Sequence, residues 1–158
     1  MGEGAVRTLI LHLKEFGLVD SIKAGTFLTT KGEKFAKYFL NAMPSKCFLK
    51  KCCLTLGKYN CAILLNGKDI SDVGNGMHQR DFAILYGASD SLTLIFKDKE
   101  FVFSGDKVVC FSDEPEIKEN LIQTLNPKEN DIIIITSSDD KFVAEISAIN
   151  TSLCTLAS

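Results

Sequence analysis

The chain has 158 residues, 46% hydrophobic and 24% charged, a profile that suits one ordinary globular domain or two small ones. No apolar run approaches the length needed to cross a bilayer, and residues 1–7 carry no apolar export core, so a cytoplasmic location is expected. The net charge of −2 hides an uneven split: residues 1–58 hold ten Lys or Arg against four acids and residues 59–158 hold eight against sixteen, which suits a polyanion partner for the front and a different task for the back.

Val6, Leu9, Ile10, Leu13 and Phe16 recur at three- and four-residue spacing, which predicts a helix over residues 3–16, with Gly17 as its stop. A short strand follows over residues 19–23. Ala24 and Gly25 form a tight reversal, because Gly25 accepts the positive φ such turns require, and residues 26–29 return as a second strand. Thr30 is then placed as a helix cap, with Glu33 three residues on completing a T-x-x-E capping box ahead of the apolar Phe35, Ala36 and Phe39.

Helix, hairpin and helix in that order fit the recognition helix, wing and trailing helix of a winged-helix module. The run G-E-G-A-V-R-T-L-I-L-H-L-K-E-F-G-L-V, followed by L-T-T-K-G-E-K-F, resembles archaeal winged-helix proteins predicted to be transcription regulators; Thr29 to Gly32 look like the L-T-x-K-G motif that leaves the wing. Such modules carry one or two helices before the recognition helix, whereas here the pattern begins at Glu3, so the module is partial. With Val6, Ile10 and Leu13 facing inward, Arg7 and Lys14 point away and Thr8 lies on the flank, while Lys23 sits beside the hairpin tip. Arg reaches guanine edges or phosphate and Lys reaches phosphate, so Arg7, Thr8, Lys14 and Lys23 are the candidate contacts to double-stranded DNA. The competing reading makes them solvent-facing polar residues, with Leu11 on the same face marking a protein contact instead.

Beyond Pro44, residues 47–56 read as a strand, Gly57 and Lys58 as a reversal and residues 59–65 as a stronger strand. The six cysteines make no paired C-x₂-C knuckles, and on a strand Cys52 and Cys53 would face opposite ways; reduced thiols serving as small apolar residues are expected, with no metal and no cofactor. A helix over residues 75–86, strands over 92–96 and 100–103 joined by a turn at residues 97–99, a helix over 116–125, a buried strand over 131–136 and a last helix over 139–153, capped by Ser138 or Asp139, complete the chain. The fold class is α+β: a partial winged-helix module over residues 1–43 and a small sheet-and-helix domain over residues 44–158. Strands paired by hairpins and separated by helices argue against a doubly wound dinucleotide fold.

The peptide N-G-M-H-Q-R-D-F-A-I-L-Y-G-A over residues 75–88 resembles the N-G-x-x-Q-R-D-x-A-I-x-x-G-A stretch of the second domain in an archaeal family of uncharacterised proteins, predicted transcriptional regulators with this same winged-helix front. The resemblance implies an effector or dimerisation domain. Asn75, Gln79, Arg80 and Asp81 are a dense polar set: Arg80 can clasp a carboxylate or phosphate, Asn75 and Gln79 both donate and accept, and Asp81 can orient Arg80. A small anionic effector is the ligand expected. The alternative is an internal network in which Arg80 pairs with an acid, Asn75 caps the helix and nothing is bound.

The two histidines, His12 and His78, fall in different predicted domains, and no phosphate-cradling glycine loop, H-E-x-x-H motif or placed nucleophile accompanies them, so catalysis is not expected. The function expected is a DNA-binding transcriptional regulator, a homodimer with a ligand-sensing second domain. The alternative is a non-enzymatic protein-interaction or structural module that does not bind DNA.

Overall fold

The computed structural model describes residues 2–106 and 108–158. The chain divides into two compact units, Met1–Asn41 and Ala42–Ser158.

The first unit runs α1 (Glu3–Glu15), β1 (Val19–Ile22), β2 (Gly25–Leu28) and α2 (Thr30–Ala42). Helix α1 ends where its periodicity ends. Phe16 closes it, and the next two amides turn back, from Gly17 to the Lys14 carbonyl at 2.8 Å and from Leu18 to the Leu13 carbonyl at 2.9 Å. This is a Schellman arrangement, made possible by the left-handed Gly17 (φ 69°). The hairpin pairs Ile22 with Gly25, so Lys23 and Ala24 form the loop, one residue earlier than the sequence suggests, and Lys23 stands at the tip itself.

The cap of α2 is also one residue earlier than expected. Thr29, not Thr30, accepts from the Gly32 amide at 3.1 Å, which puts Gly32 where the capping box would need Glu33. Thr29 Oγ1 also donates to the Gly17 carbonyl at 2.7 Å, Lys31 Nζ donates to the Phe16 carbonyl at 2.7 Å, and the Thr29 amide donates to the Leu18 carbonyl at 3.0 Å. Gly32 lies so close to Leu18 that a Cβ built on it would come within 1.9 Å of the Leu18 carbonyl oxygen. The T-x-K-G residues therefore latch the end of the hairpin onto the end of α1. Lys31 does this where unpaired carbonyls and the helix dipole favour a cation.

The second unit is a six-stranded antiparallel sheet with helices on both faces. Its strands are β3 (Lys46–Leu49), β4 (Tyr59–Leu65), β5 (Asp90–Lys97), β6 (Glu100–Phe103), β7 (Val109–Cys110) and β8 (Ile132–Ser138), in the spatial order β3-β4-β8-β5-β6-β7. Its helices are α3 (Ile70–Val73), α4 (Met77–Leu85), α5 (Pro115–Leu125) and α6 (Lys141–Ala157). The last strand in sequence is thus inserted between two earlier ones, pairing Leu65 with Ile132 on one side and Ile95 with Ile132 on the other.

Alternation along the strands sorts their side chains. Ala62, Leu64, Leu94, Phe96, Ile133 and Ile135 face one layer, completed by Leu121 and Leu125 of α5. Cys61, Ile63, Leu65, Ile132 and Ile134 face the other, under Ala144 and Ala148 of α6. Because β8 is covered on both faces, it reads as an unbroken apolar run instead of an alternating one.

Several expected boundaries shift. Strand β3 stops at Leu49; Cys52 and Cys53 lie in a turn stapled by Thr55, whose hydroxyl accepts from the Cys52 amide at 3.1 Å. Cys52 is buried and Cys53 exposed, its thiol 3.1 Å from a Glu114 carboxylate oxygen. The last helix starts at Lys141 with Asp140 as its cap, accepting from Phe142 and Val143; Asp139 instead accepts from the Lys58 amide and Ser138 from the Asp140 amide. No helix among the described residues is long and apolar enough to cross a membrane, and no cluster of His, Cys, Asp or Glu among them has metal-site geometry.

Candidate functional site

In the first unit, Arg7, Thr8 and Lys23 are exposed and Lys14 is half-exposed. Arg7 holds an ion pair one turn back with Glu3 at 2.6 Å, and Lys14 lies 3.8 Å from Asp20. Thr8 Oγ1 donates to the Gly4 carbonyl at 3.1 Å. Lys23 makes no ion pair among the described residues. The Arg7 and Lys14 pairs are solvent-exposed and each contributes only about 0.2–1 kcal/mol, so a phosphate competes for either cation at little cost. Thr8 must first turn away from its own helix to donate outward.

No residue of α1 is buried. Val6 and Leu9 of its apolar stripe are exposed, as are Phe27 and Leu28 of β2 and Phe35 and Tyr38 of α2. Leu11 is among the more open of these, at 60% exposure.

In the second unit, the structure separates the four polar residues that the sequence groups together. Asn75 and Arg80 line an open groove of about 350 Å³ at the start of α4, whereas Gln79 is buried beside it and Asp81 faces solvent elsewhere. Asp81 does not hold Arg80. The partner is Asp90 at the start of β5, whose carboxylate accepts from Arg80 Nε at 3.0 Å. Asn75 does not cap α4 as its N-cap residue; that position is Gly76, left-handed at φ 79°, and Asn75 Oδ1 accepts from the Met77 amide at 3.2 Å. Gly76 is needed there on two counts: its φ, and the Thr93 side chain 3.0 Å from where a Cβ would sit.

The opposite wall comes from β5, β6 and the turn that follows β6: Ser91, Leu92, Thr93, Phe103 and Ser104. Ser104 Oγ donates to the Gly74 carbonyl at 2.5 Å and its amide to the Thr93 carbonyl at 3.0 Å, so this residue is fully engaged. Ser91 and Thr93 are 7% and 6% exposed, yet neither hydroxyl has a hydrogen-bond partner among the described residues. The Gln79 side-chain oxygen is likewise unpartnered. Buried polar groups are normally satisfied, so two such hydroxyls in one groove wall are conspicuous.

Sequence reasoning missed Ser91 and Thr93. One signal was there. They alternate with Leu92 and Leu94 on a strand covered on both sides, where apolar residues would be expected on each face. No hydrogen bond joins His78 to Asp81, and His78 is exposed.

The family described as "Domain of unknown function (DUF4443)" matches residues 56–156, which include this groove and most of the six-stranded sheet. Among solved structures, a hypothetical protein from Pyrococcus horikoshii OT3, PH0730, is similar over 99% of this chain and 79% of its own, with a TM-score of 0.70 and 26% identity. No curated protein matches the chain.

Proposed function

We propose that this chain, which belongs to the DUF4443 family, is a DNA-binding transcriptional regulator whose first unit supplies the recognition helix and wing of a winged helix and whose second unit binds a small effector. The single observation that carries the reading is the way α1 and the β1–β2 hairpin end up. The T-x-K-G latch ties the hairpin to the end of α1, leaving Arg7 and Lys14 accessible on the helix and Lys23 at the hairpin tip. A helix in the major groove with a basic tip reaching the neighbouring backbone is a geometry in which those three cations neutralise phosphates while Thr8 approaches base edges. Association as a homodimer is part of the proposal, since twofold pairing sets two such helices one DNA turn apart. No catalytic role and no cofactor enter it.

The test is fluorescence anisotropy of labelled duplexes against the whole chain over a range of salt. Three phosphate contacts from each copy give a slope of log affinity against log salt of about −3 per copy. Replacing Arg7, Lys14 and Lys23 together by Gln should remove the binding while leaving the circular dichroism spectrum unchanged. Absence of binding at low salt would overturn the proposal in favour of the second reading, a protein-interaction module. Exposed Leu11, Phe27 and Tyr38 are the observation that favours that reading.

A further inference from the structure

We infer that the groove between the start of α4 and the start of β5 is an oxyanion site, for a small organic molecule with a carboxylate or phosphate head and a short apolar body. This deepens the effector half of the proposed function and rests on it only for the word effector.

The groove is rich in unpaired donors. Arg80 gives only Nε to Asp90, which leaves the outer edge of its guanidinium fork unpaired among the described residues. Asn75 spends its carbonyl oxygen on the Met77 amide, so its amide nitrogen is the group left to offer. Ser91 and Thr93, both in the lining, carry hydroxyls that are buried and without partners, each able to donate or accept. The nine-residue α4 begins at the groove, with Gly76 and Met77 in the lining, and the backbone amides of its next two residues have no acceptor among the described residues. A helix start adds partial positive charge there. The one carboxylate in the lining is Asp90, whose Oδ1 is held by Arg80.

A cationic or amine head would meet the repulsion of the Arg80 guanidinium, whereas an oxyanion would accept from several donors at once. Met77, Leu92 and Phe103 form the apolar part of the lining and set the character of the remainder of the ligand. The hollow between β3 and α5, about 270 Å³ in volume, offers a contrast: it is lined by Phe48, Leu49, Lys50, Glu116, Ile117 and Asn120, and no buried side-chain polar atom among these lacks a partner.

The experiment is an amide-resolved NMR titration of the whole chain with sodium phosphate, phenyl phosphate and hexanoate, against sodium chloride at matched ionic strength. Saturable shifts centred on residues 76–80 and 91–93 are expected with the oxyanions and not with chloride. Phenyl phosphate binding more tightly than hexanoate identifies a phosphoryl site and the reverse identifies a carboxylate site; inorganic phosphate should be weaker than phenyl phosphate because it leaves Met77, Leu92 and Phe103 uncovered. Arg80→Gln should weaken binding about tenfold or more. Ser91→Ala guards against a variant that merely misfolds: it removes a buried hydroxyl without a partner, so it should raise the melting temperature while weakening binding severalfold. Equal shifts with chloride, or undiminished binding in a folded Arg80→Gln protein, would overturn the inference. DNA affinity is not a readout, so a failed titration leaves the DNA-contact proposal standing and a failed anisotropy experiment leaves this one.

Discussion

Gly32→Ala sets two physical effects against each other with opposite signs. Gly32 lies in the first turn of α2, where helix propensity alone makes alanine more stable by about 1 kcal/mol. The structure predicts the reverse. A methyl group at this position would sit 1.9 Å from the Leu18 carbonyl oxygen, 2.9 Å from its carbon and 3.2 Å from a Leu28 methyl, and real Cβ atoms essentially never approach within 3.0 Å. The first two obstacles are backbone, so no rotamer relieves them, and α2 must part from the α1–β1 junction by about an ångström. That displacement acts on the Thr29 amide bond to Leu18 and the Thr29 hydroxyl bond to Gly17. Overpacking costs about 1–3 kcal/mol and each weakened hydrogen bond about 1 kcal/mol, so a net loss of about 2–4 kcal/mol remains after the propensity gain. The loss is confined to the first unit, so a global melting curve is the wrong measurement. Native-state hydrogen exchange of the Leu18 and Thr29 amides reads it directly, and about 2 kcal/mol corresponds to roughly thirtyfold faster exchange. Unchanged or slower exchange at those amides would refute the steric argument and leave propensity in control.

Ile134→Ala in β8, a fully buried position facing α6, should cost about 2–5 kcal/mol and lower the denaturant midpoint of the second unit. Burial pushes the thiols of Cys61 and Cys110 up to about 12 and that of Cys47 up to about 11 from an ordinary 9.0. The unfolded chain therefore loses these protons first. Stability should be insensitive to them below pH 9.0 and should fall above it, until each folded thiol titrates near about 11 or about 12. Urea midpoints measured across that range should decline, and replacing Cys61 by Ala or Ser should flatten its share of the slope. Expressed alone, residues 1–41 should give little helical signal, because α1 buries none of its residues and isolated helices of this length are marginal in water.

Local chemistry was legible wherever a single residue settled it. The turn at residues 97–99 puts Asp98 and Lys99 in the left-handed region, as a two-residue hairpin loop requires, and Gly17 terminates α1 as its position suggests. Neighbouring residues that could each play the same part were harder to separate. Thr29 and Thr30 are both able caps, as are Ser138, Asp139 and Asp140, and the choice follows from which hydroxyl or carboxylate meets an already positioned carbonyl or amide. The two-residue β7 and four-residue α3 are too short to carry a period, and Cys52 to Leu56 is apolar enough to pass for strand until Thr55 bends it. The groove is non-local. Arg80 sits beside Asp81 in sequence, but the helix turns them apart, and the partner ten residues away on β5 is brought in by the sheet. Ser91 and Thr93 look like routine strand residues until α4 is laid over them.

The insertion of β8 between β4 and β5 has a consequence for how the molecule is made. The middle of the sheet is supplied by residues 132–138, after every other strand has been synthesised. Until then β3–β4 and β5–β6–β7 lack the strand that joins them, and β4 and β5 are each left with an apolar flank without its native partner. Closure depends on pairings that span some seventy residues of chain, so the second unit should fold slowly and only once residues 132–138 have emerged. A chain interrupted shortly before Ile132 should accumulate as an aggregation-prone species, whereas one cut within the last turns of α6 already contains the whole sheet.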